Sequence, residues 1–205
     1  CPTGALSFDS KEMNASEVVS EVLKDRIFFD VSDGGVTLSG GEPLLEERVV
    51  YEFLKMLKIH GIHIAVESSL MVSEGTLEKL TPMIDLFIID FKVIDPLKSR
   101  EIKGMDIRMF LRNLELLYSV DVEIRCRIPL IPGYTTDYGN LKSIGKLIRE
   151  LNQRFNKQAD IELINFNPLC KEKYLQLGLP LPGVDRWEKY SEDEIQEIQK
   201  IIIDE

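Results

Sequence analysis

The chain has 205 residues, 44% of them hydrophobic, 29% charged and 8% aromatic, which is enough apolar material for one sizeable core and excludes disorder and coiled coil. Thirty-five acids against 25 bases leave a formal charge of −10, so neither nucleic acid nor an anionic membrane meets the basic surface it needs. The longest apolar run, Leu86-Phe87-Ile88-Ile89, is of strand length and far short of the roughly 18 residues of a bilayer crossing.

The chain opens on Cys1-Pro2-Thr3-Gly4-Ala5-Leu6 with no initiator methionine and reads as a portion of something longer. Asn14 to Asp25 predicts a helix, capped by Asn14 with Glu17 three residues on and carrying an apolar stripe of Val18, Val19, Val22 and Leu23. Gly35-Val36-Thr37-Leu38 predicts a strand, Ser39-Gly40-Gly41-Glu42-Pro43 a turn, and Val49, Val50, Phe53, Leu54 and Leu57 line a helix that Gly61 ends. The pair then recurs. Strands are expected at His63–Val66, Leu86–Ile89, Val122–Ile128 and Ile161–Ile164, with helices at Ser73–Leu80, about Asp106–Tyr118, about Asp137–Phe155 and from Ser191, where Glu194 completes a capping box. Asp185–Glu205 sets eight acids against three bases and reads as a solvated helix face.

Strands alternating with helices imply βαβ crossovers, hence an α/β fold with a parallel sheet, closed or open. No repeat or linker divides the chain, so one domain over residues 1–205 is expected. Polar residues gather where strands end: Ser39 to Glu42, Glu67-Ser68-Ser69, Asp90-Phe91-Lys92, Arg125 with Arg127, and Asn165 with Asn167. In parallel α/β folds the carboxyl ends of strands share one rim, and that rim carries the site.

Gly40 and Gly41 lack Cβ atoms, so a ligand can reach the main chain there, although the same stretch also reads as a plain turn with Pro43 opening the helix. With Glu42, Glu67 and Asp90 to receive an ammonium and Lys92 and Arg127 to hold a carboxylate, the rim suits an amino acid moiety. Asp90 and Lys92 also read as a solvated ion pair, and Arg125 and Arg127 share one strand face that needs anions. His60 and His63, at the opposite rim, and Trp187 read as structural. Cys126 is expected against the helix layer and Cys170 in the irregular stretch Pro168–Asp185. Three scattered cysteines make no disulfide framework, which points to a reducing, cytoplasmic setting. Cys1-Pro2 has the ending of a C-x2-C-x2-C-x3-C-P iron–sulfur run.

Together, Cys1–Leu6, Gly35–Leu44, Asp85–Lys92 and Arg127–Gly133 resemble, in order and spacing, the glycyl-radical-enzyme activating enzymes of the radical S-adenosylmethionine (SAM) type, with pyruvate formate-lyase activating enzyme as the type member. The resemblance implies a partial (β/α)6 TIM-like barrel with its first strand missing, leaving five parallel strands. It implies SAM and a [4Fe-4S] cluster as cofactors, a 5′-deoxyadenosyl radical, a glycyl radical enzyme as partner, and an electron donor such as flavodoxin or ferredoxin.

Residue by residue, the resemblance implies that Gly40, Gly41 and Glu42 receive the methionyl ammonium. Glu67 and Ser68 line the cofactor site, with Glu67 and Asp90 offering a place for a monovalent cation. Asp90, Phe91 and Lys92 contact the cofactor, Arg127 lies beside its adenosyl and carboxylate region, and Cys1 ends a ferredoxin-like insert over residues 1–6 as an auxiliary cluster ligand. Two departures stand out: the Cys-x3-Cys-x2-Cys motif of the catalytic cluster is missing, so this portion alone is expected to be inactive, and Asn167 stands where many members have a histidine. Asparagine can hydrogen-bond a ribose hydroxyl but cannot change charge. The rival readings are a barrel enzyme using Lys92 as a Schiff-base nucleophile and a non-catalytic module that docks a partner.

Overall fold

The computed structural model describes residues 11–100, 105–169, 172, 174, 175, 178, 179 and 188–203. Five parallel strands, β1 (Gly35–Leu38), β2 (His63–Ser68), β3 (Leu86–Asp90), β4 (Glu123–Pro129) and β5 (Asp160–Ile164), form one sheet in sequential order. Helices join each strand to the next: α3 (Glu47–Ile59), α4 (Glu74–Leu80), the short α5 (Pro96–Ser99) with α6 (Ile107–Ser119), and α7 (Tyr138–Phe155), while α8 (Glu192–Ile203) follows β5. This is the expected α/β architecture of a partial barrel.

Register sorts the side chains, because paired residues in a parallel sheet point to the same face. Val36 with Ile64, Val66 with Phe87, Ile89 with Cys126, and Ile128 with Leu163 form the apolar face. That face meets Leu54 and Leu57 of α3, Leu77 and Leu80 of α4, Phe110 and Leu114 of α6, and Ile144 and Ile148 of α7 in a single core. The alternate residues, Thr37, Glu67, Asp90, Arg125, Arg127, Asp160 and Glu162, fall on the other face, which no described helix covers through that core. A one-residue slip would bury these charges among leucines, so the pattern holds the register.

Local chemistry places the helices. Asn14 accepts from the Glu17 amide while Glu17 accepts from Asn14, closing the expected capping box, and Asp106 and Asp137 cap α6 and α7 by accepting from amides of the first turn. Asn156 ends α7 with φ of 49°, in the left-handed region.

Two expectations need correction, and two short helices were not anticipated. The helix from Asn14 stops at Val22 as α1 (Ala15–Val22), tightens into a 3-10 turn at Leu23–Asp25, and is followed by an unexpected α2 (Arg26–Ser32), stapled by Arg26 to Asp30 at 3.1 Å. Val49 does not line the core: it is 57% exposed, since the buried stripe of α3 runs through Val50, Leu54 and Leu57. Asp95 caps α5, a turn of helix that its polar sequence did not announce. Cys1, residues 1–6, Cys170 and Trp187 lie outside the described residues.

Candidate functional site

The uncovered face of the sheet carries a chain of charge at the carboxyl ends of its strands. Ser39, just past β1, donates to Glu67 Oε2 of β2 at 2.6 Å, and Arg127 of β4 donates through Nη1 to Glu67 Oε1 at 2.6 Å and through Nε to Glu162 Oε2 of β5 at 3.0 Å. Asp90, in register with Arg127 on the intervening strand, pairs with Lys92 at 3.7 Å. Four strand ends are thus connected by one network.

Its members do not titrate alike. The hydrogen bond from the Ser39 hydroxyl, the largest single cause, acts with the Arg127 guanidinium to hold the Glu67 carboxyl below the usual range, against the opposing effect of burial. Burial pushes the Asp90 carboxyl up, and the nearby charges of Lys92 and Arg127 only partly offset it. For Arg127 burial acts to lower the pKa, yet the bonds to Glu67 and Glu162 together outweigh it and the guanidinium is held more firmly charged.

Gly40 and Gly41 stand at one side of this network. A Cβ built on either meets nothing within 4 Å, and Gly40 has φ of 124°, so the turn is both open to a ligand and dependent on glycine. Glu42 is not a free carboxylate. Its Oε2 accepts from the Ser69 amide at 2.9 Å and the Ser69 hydroxyl at 2.8 Å, and its Oε1 accepts from Ser68 at 2.8 Å. Glu42 therefore ties the glycine turn after β1 to the end of β2, and what it offers a ligand is the electrostatic field of a carboxylate already hydrogen-bonded.

The next loops are pinned from below. Leu70 takes the left-handed conformation with φ of 58°, which is strained for a residue with a Cβ, and is fully buried. Asn113 of α6, itself 1% exposed, donates to the carbonyls of Leu70 and Val72 at 2.8 Å each. Asn140 of α7 does the same beyond β3, donating to the Lys92 and Thr135 carbonyls at 2.8 and 2.9 Å and accepting from the Ile94 amide.

The expected site residues divide accordingly. Gly40, Gly41, Glu67, Asp90, Lys92 and Arg127 reach the mouth. Ser68 is 3% exposed and turned toward the helix side, committed to Glu42, and the Phe91 ring lies in the core, edge-on to Phe110 with centroids 5.3 Å apart. Phe91 can therefore offer a ligand only main chain, and its amide already donates to Arg127 O at 2.8 Å. Asn167 is exposed beyond β5, its Oδ1 accepting from the Leu169 amide at 3.0 Å. Arg125 does not join the mouth: two residues lower on β4, it pairs with Asp160 at 3.8 Å and lines an opposite-rim cavity of about 460 Å3 with Lys157 and Asp121.

Glu162 is a member that the sequence did not single out, and Ser39, expected only as part of the polar cluster after its strand, proves to bind Glu67. Only cross-strand register separates Glu162 from an ordinary solvent-facing glutamate on an alternating strand.

A zwitterionic, positively charged amino acid derivative fits this mouth, with open main chain at the glycines, three strand carboxylates and two cations. An iron–sulfur cluster does not find ligands among the described residues. Cys126 is fully buried against the helices, its thiol pushed up to about 12 by burial, and no group of three or more His, Cys, Asp or Glu that could hold a metal occurs among them. Both oxygens of Glu67 already have partners, Ser39 and Arg127, so a monovalent cation between Glu67 and Asp90 would have to share them. His60 caps the end of α3, its carbonyl accepting from Arg26, and His63 starts β2, both at the opposite rim as expected.

Comparisons with known proteins identify the family and the fold. The family profile described as the radical SAM superfamily matches residues 1–141. The pyruvate formate-lyase 2-activating enzyme of Escherichia coli (strain K12) is 34% identical over 178 residues, 87% of this chain and 59% of that protein. The (2S)-3-sulfopropanediol dehydratase activating enzyme of Klebsiella oxytoca is 36% identical over 179 residues, 87% of this chain and 56% of that one. The 4-hydroxyphenylacetate decarboxylase activating enzyme of Clostridioides difficile (strain CD196) is 32% identical over 208 residues, 100% of this chain and 63% of that one. The chain thus spans less than two thirds of the length of these relatives. A crystal structure of a domain of pyruvate-formate lyase-activating enzyme from Bacteroides vulgatus ATCC 8482 superposes with a TM-score of 0.66 at 26% identity, covering 82% of this chain and 92% of that one.

Proposed function

This chain belongs to the radical SAM superfamily, and from that premise we propose that it is the SAM-binding portion of an activating enzyme that installs a glycyl radical on a partner enzyme. The observation that carries the reading is the continuous network from Ser39 through Glu67 and Arg127 to Glu162, lying beside the open Gly40-Gly41 turn. When bound, SAM and a [4Fe-4S] cluster would together supply the radical that removes a hydrogen from glycine.

The chain's own residues do the positioning. Gly40 and Gly41 present main-chain groups to the methionyl ammonium, in the field of Glu42 and near Glu67. Lys92 and Arg127 offer the cations for its carboxylate, while Asp90 and Glu162 keep the mouth from becoming net positive. Asn167 offers a hydrogen bond to a ribose hydroxyl, and Ser68 and Phe91 act through Glu42 and through main chain. Cys1 is proposed as an auxiliary-cluster ligand at the end of a ferredoxin-like insert. A one-electron donor of flavodoxin or ferredoxin type completes the system.

Pyruvate formate-lyase is the partner type proposed, supported by the names of the E. coli relative and the Bacteroides domain. Lys92 stands in an ion pair with Asp90 rather than in an apolar pocket that would free its amine, so the Schiff-base reading gains nothing. No described helix is long and apolar enough to cross a membrane.

Calorimetric titration of SAM into a longer chain that includes the Cys-x3-Cys-x2-Cys motif missing here, with its cluster reconstituted, tests the proposal. Binding that Gly41→Val abolishes is the expected result. Equal affinity in the variant rejects the assignment of the glycine turn.

A further inference from the structure

We propose that Glu162 is a positioning residue that fixes the orientation of the Arg127 guanidinium and so decides which of its edges faces an anionic ligand. The ligand half of this inference rests on the SAM reading; the orientation half does not.

A guanidinium is a rigid plane with five N–H donors, one on Nε and two on each Nη. A single anchor leaves such a plane free to swivel about the bond, whereas two anchors on different nitrogens fix both its place and its rotation. Arg127 has two: Nε on Glu162 at 3.0 Å and Nη1 on Glu67 at 2.6 Å. Both anchors are themselves placed by the fold. Glu162 stands in register with Arg127 on the neighbouring strand, and Glu67 is braced on its other oxygen by Ser39 at 2.6 Å. Nη2 makes no hydrogen bond to a described residue, so its two N–H donors, with the second N–H of Nη1, are what the network leaves for a ligand carboxylate.

Glu162 is the anchor whose removal acts selectively. Glu67 also faces the glycine turn through Ser39, so changing it disturbs two places at once. Glu162 touches the network only through Arg127, and its side chain is 37% exposed on β5, where truncation leaves no buried cavity. Its contribution is the bond to Nε and not its charge alone, because a point charge would not select Nε over Nη2. A glutamine, which keeps an acceptor oxygen in the same place, therefore preserves the function.

The test combines a resonance with a binding split. In protein labelled with 15N-arginine, the Nε–H signal of Arg127 is the one missing from Arg127→Lys. It is expected to be protected from solvent exchange in the native protein and in Glu162→Gln, and to be lost in Glu162→Ala. Calorimetry should find SAM affinity reduced roughly tenfold or more in Glu162→Ala and largely restored in Glu162→Gln. Methylthioadenosine, which lacks the amino acid portion, should bind all three proteins alike.

Retention of the protected signal in Glu162→Ala overturns the inference, as does equal weakening of both ligands, which marks a general structural effect. Glutamine behaving like alanine overturns it too, since charge would then be the agent. If the native protein binds no SAM, the cofactor reading fails, and the resonance alone decides whether Glu162 orients Arg127.

Discussion

Asp90 and Glu67 lie on adjacent strands of one mouth, yet protonation acts on them in opposite senses. Burial raises the Asp90 pKa above its unfolded value, so ionised Asp90 opposes folding at neutral pH, and that opposition fades as pH falls through the raised folded value. Asp90→Asn should therefore raise the melting temperature at neutral pH by up to a few degrees, with the gain shrinking in acid, while SAM binding weakens. Thermal melts of both proteins across acidic and neutral pH check this; an unchanged or lower neutral-pH melting temperature contradicts it. Glu67 has the reverse sign, its pKa lowered first by Ser39 and then by Arg127. Its stabilisation is complete above the unfolded value of about 4 and is lost as pH falls through the depressed one, so Glu67→Gln should destabilise most at neutral pH and least in strong acid. The glycines and the charged residues at strand ends were legible in the sequence because residue type and position agreed. The partners of Glu162 and Ser39 were not, since register alone shows that Glu162 meets Arg127 and the turn after β1 that Ser39 meets Glu67, and the engagement of Glu42 by Ser68 and Ser69 needs the loop's shape.

Loops after β2 and β3 are held by single buried asparagines from the helices beneath them, which makes α6 and α7 part of the site's support. Replacing Asn113 by alanine leaves the Leu70 and Val72 carbonyls without their donor beside a strained left-handed leucine. A loss of about 2–3 kcal/mol is expected in urea unfolding. A loss near zero would mean that water replaces the amide without penalty. Gly145 of α7 tests packing between elements: an added Cβ would lie 2.2 Å from the Ile202 carbonyl of α8, so Gly145→Ala should push the two helices apart and destabilise by about 1–3 kcal/mol. Full stability in that variant contradicts the tight α7–α8 contact. Strands and long helices were legible because their apolar periods are unambiguous. The helix α2 was not, because Ile27, Phe28 and Val31 turn outward, 68–85% exposed, and give no core-facing stripe.

At the scale of the whole molecule, β1 pairs only with β2 among the described residues, and exposed Ile27, Phe28 and Val31 lie on the helix that leads into it. An unpaired edge with apolar neighbours favours association. Sedimentation of the 205-residue chain should show mass rising with concentration, and Thr37→Lys, which places a charge on that edge, should reduce it; a monomer at every concentration contradicts this. The parallel order of strands and the shared rim were legible from the alternation alone. The split between a connected mouth and a separate lower pair, Arg125 with Asp160, was not, because two arginines two residues apart look equivalent until strand ends are levelled against each other. The most direct measurement is a crystal structure of the protein grown with SAM. Density for the methionyl group between the Gly40-Gly41 main chain and Arg127 is the predicted result. Density at the opposite rim beside Arg125 and Lys157, with the mouth empty, would contradict the account.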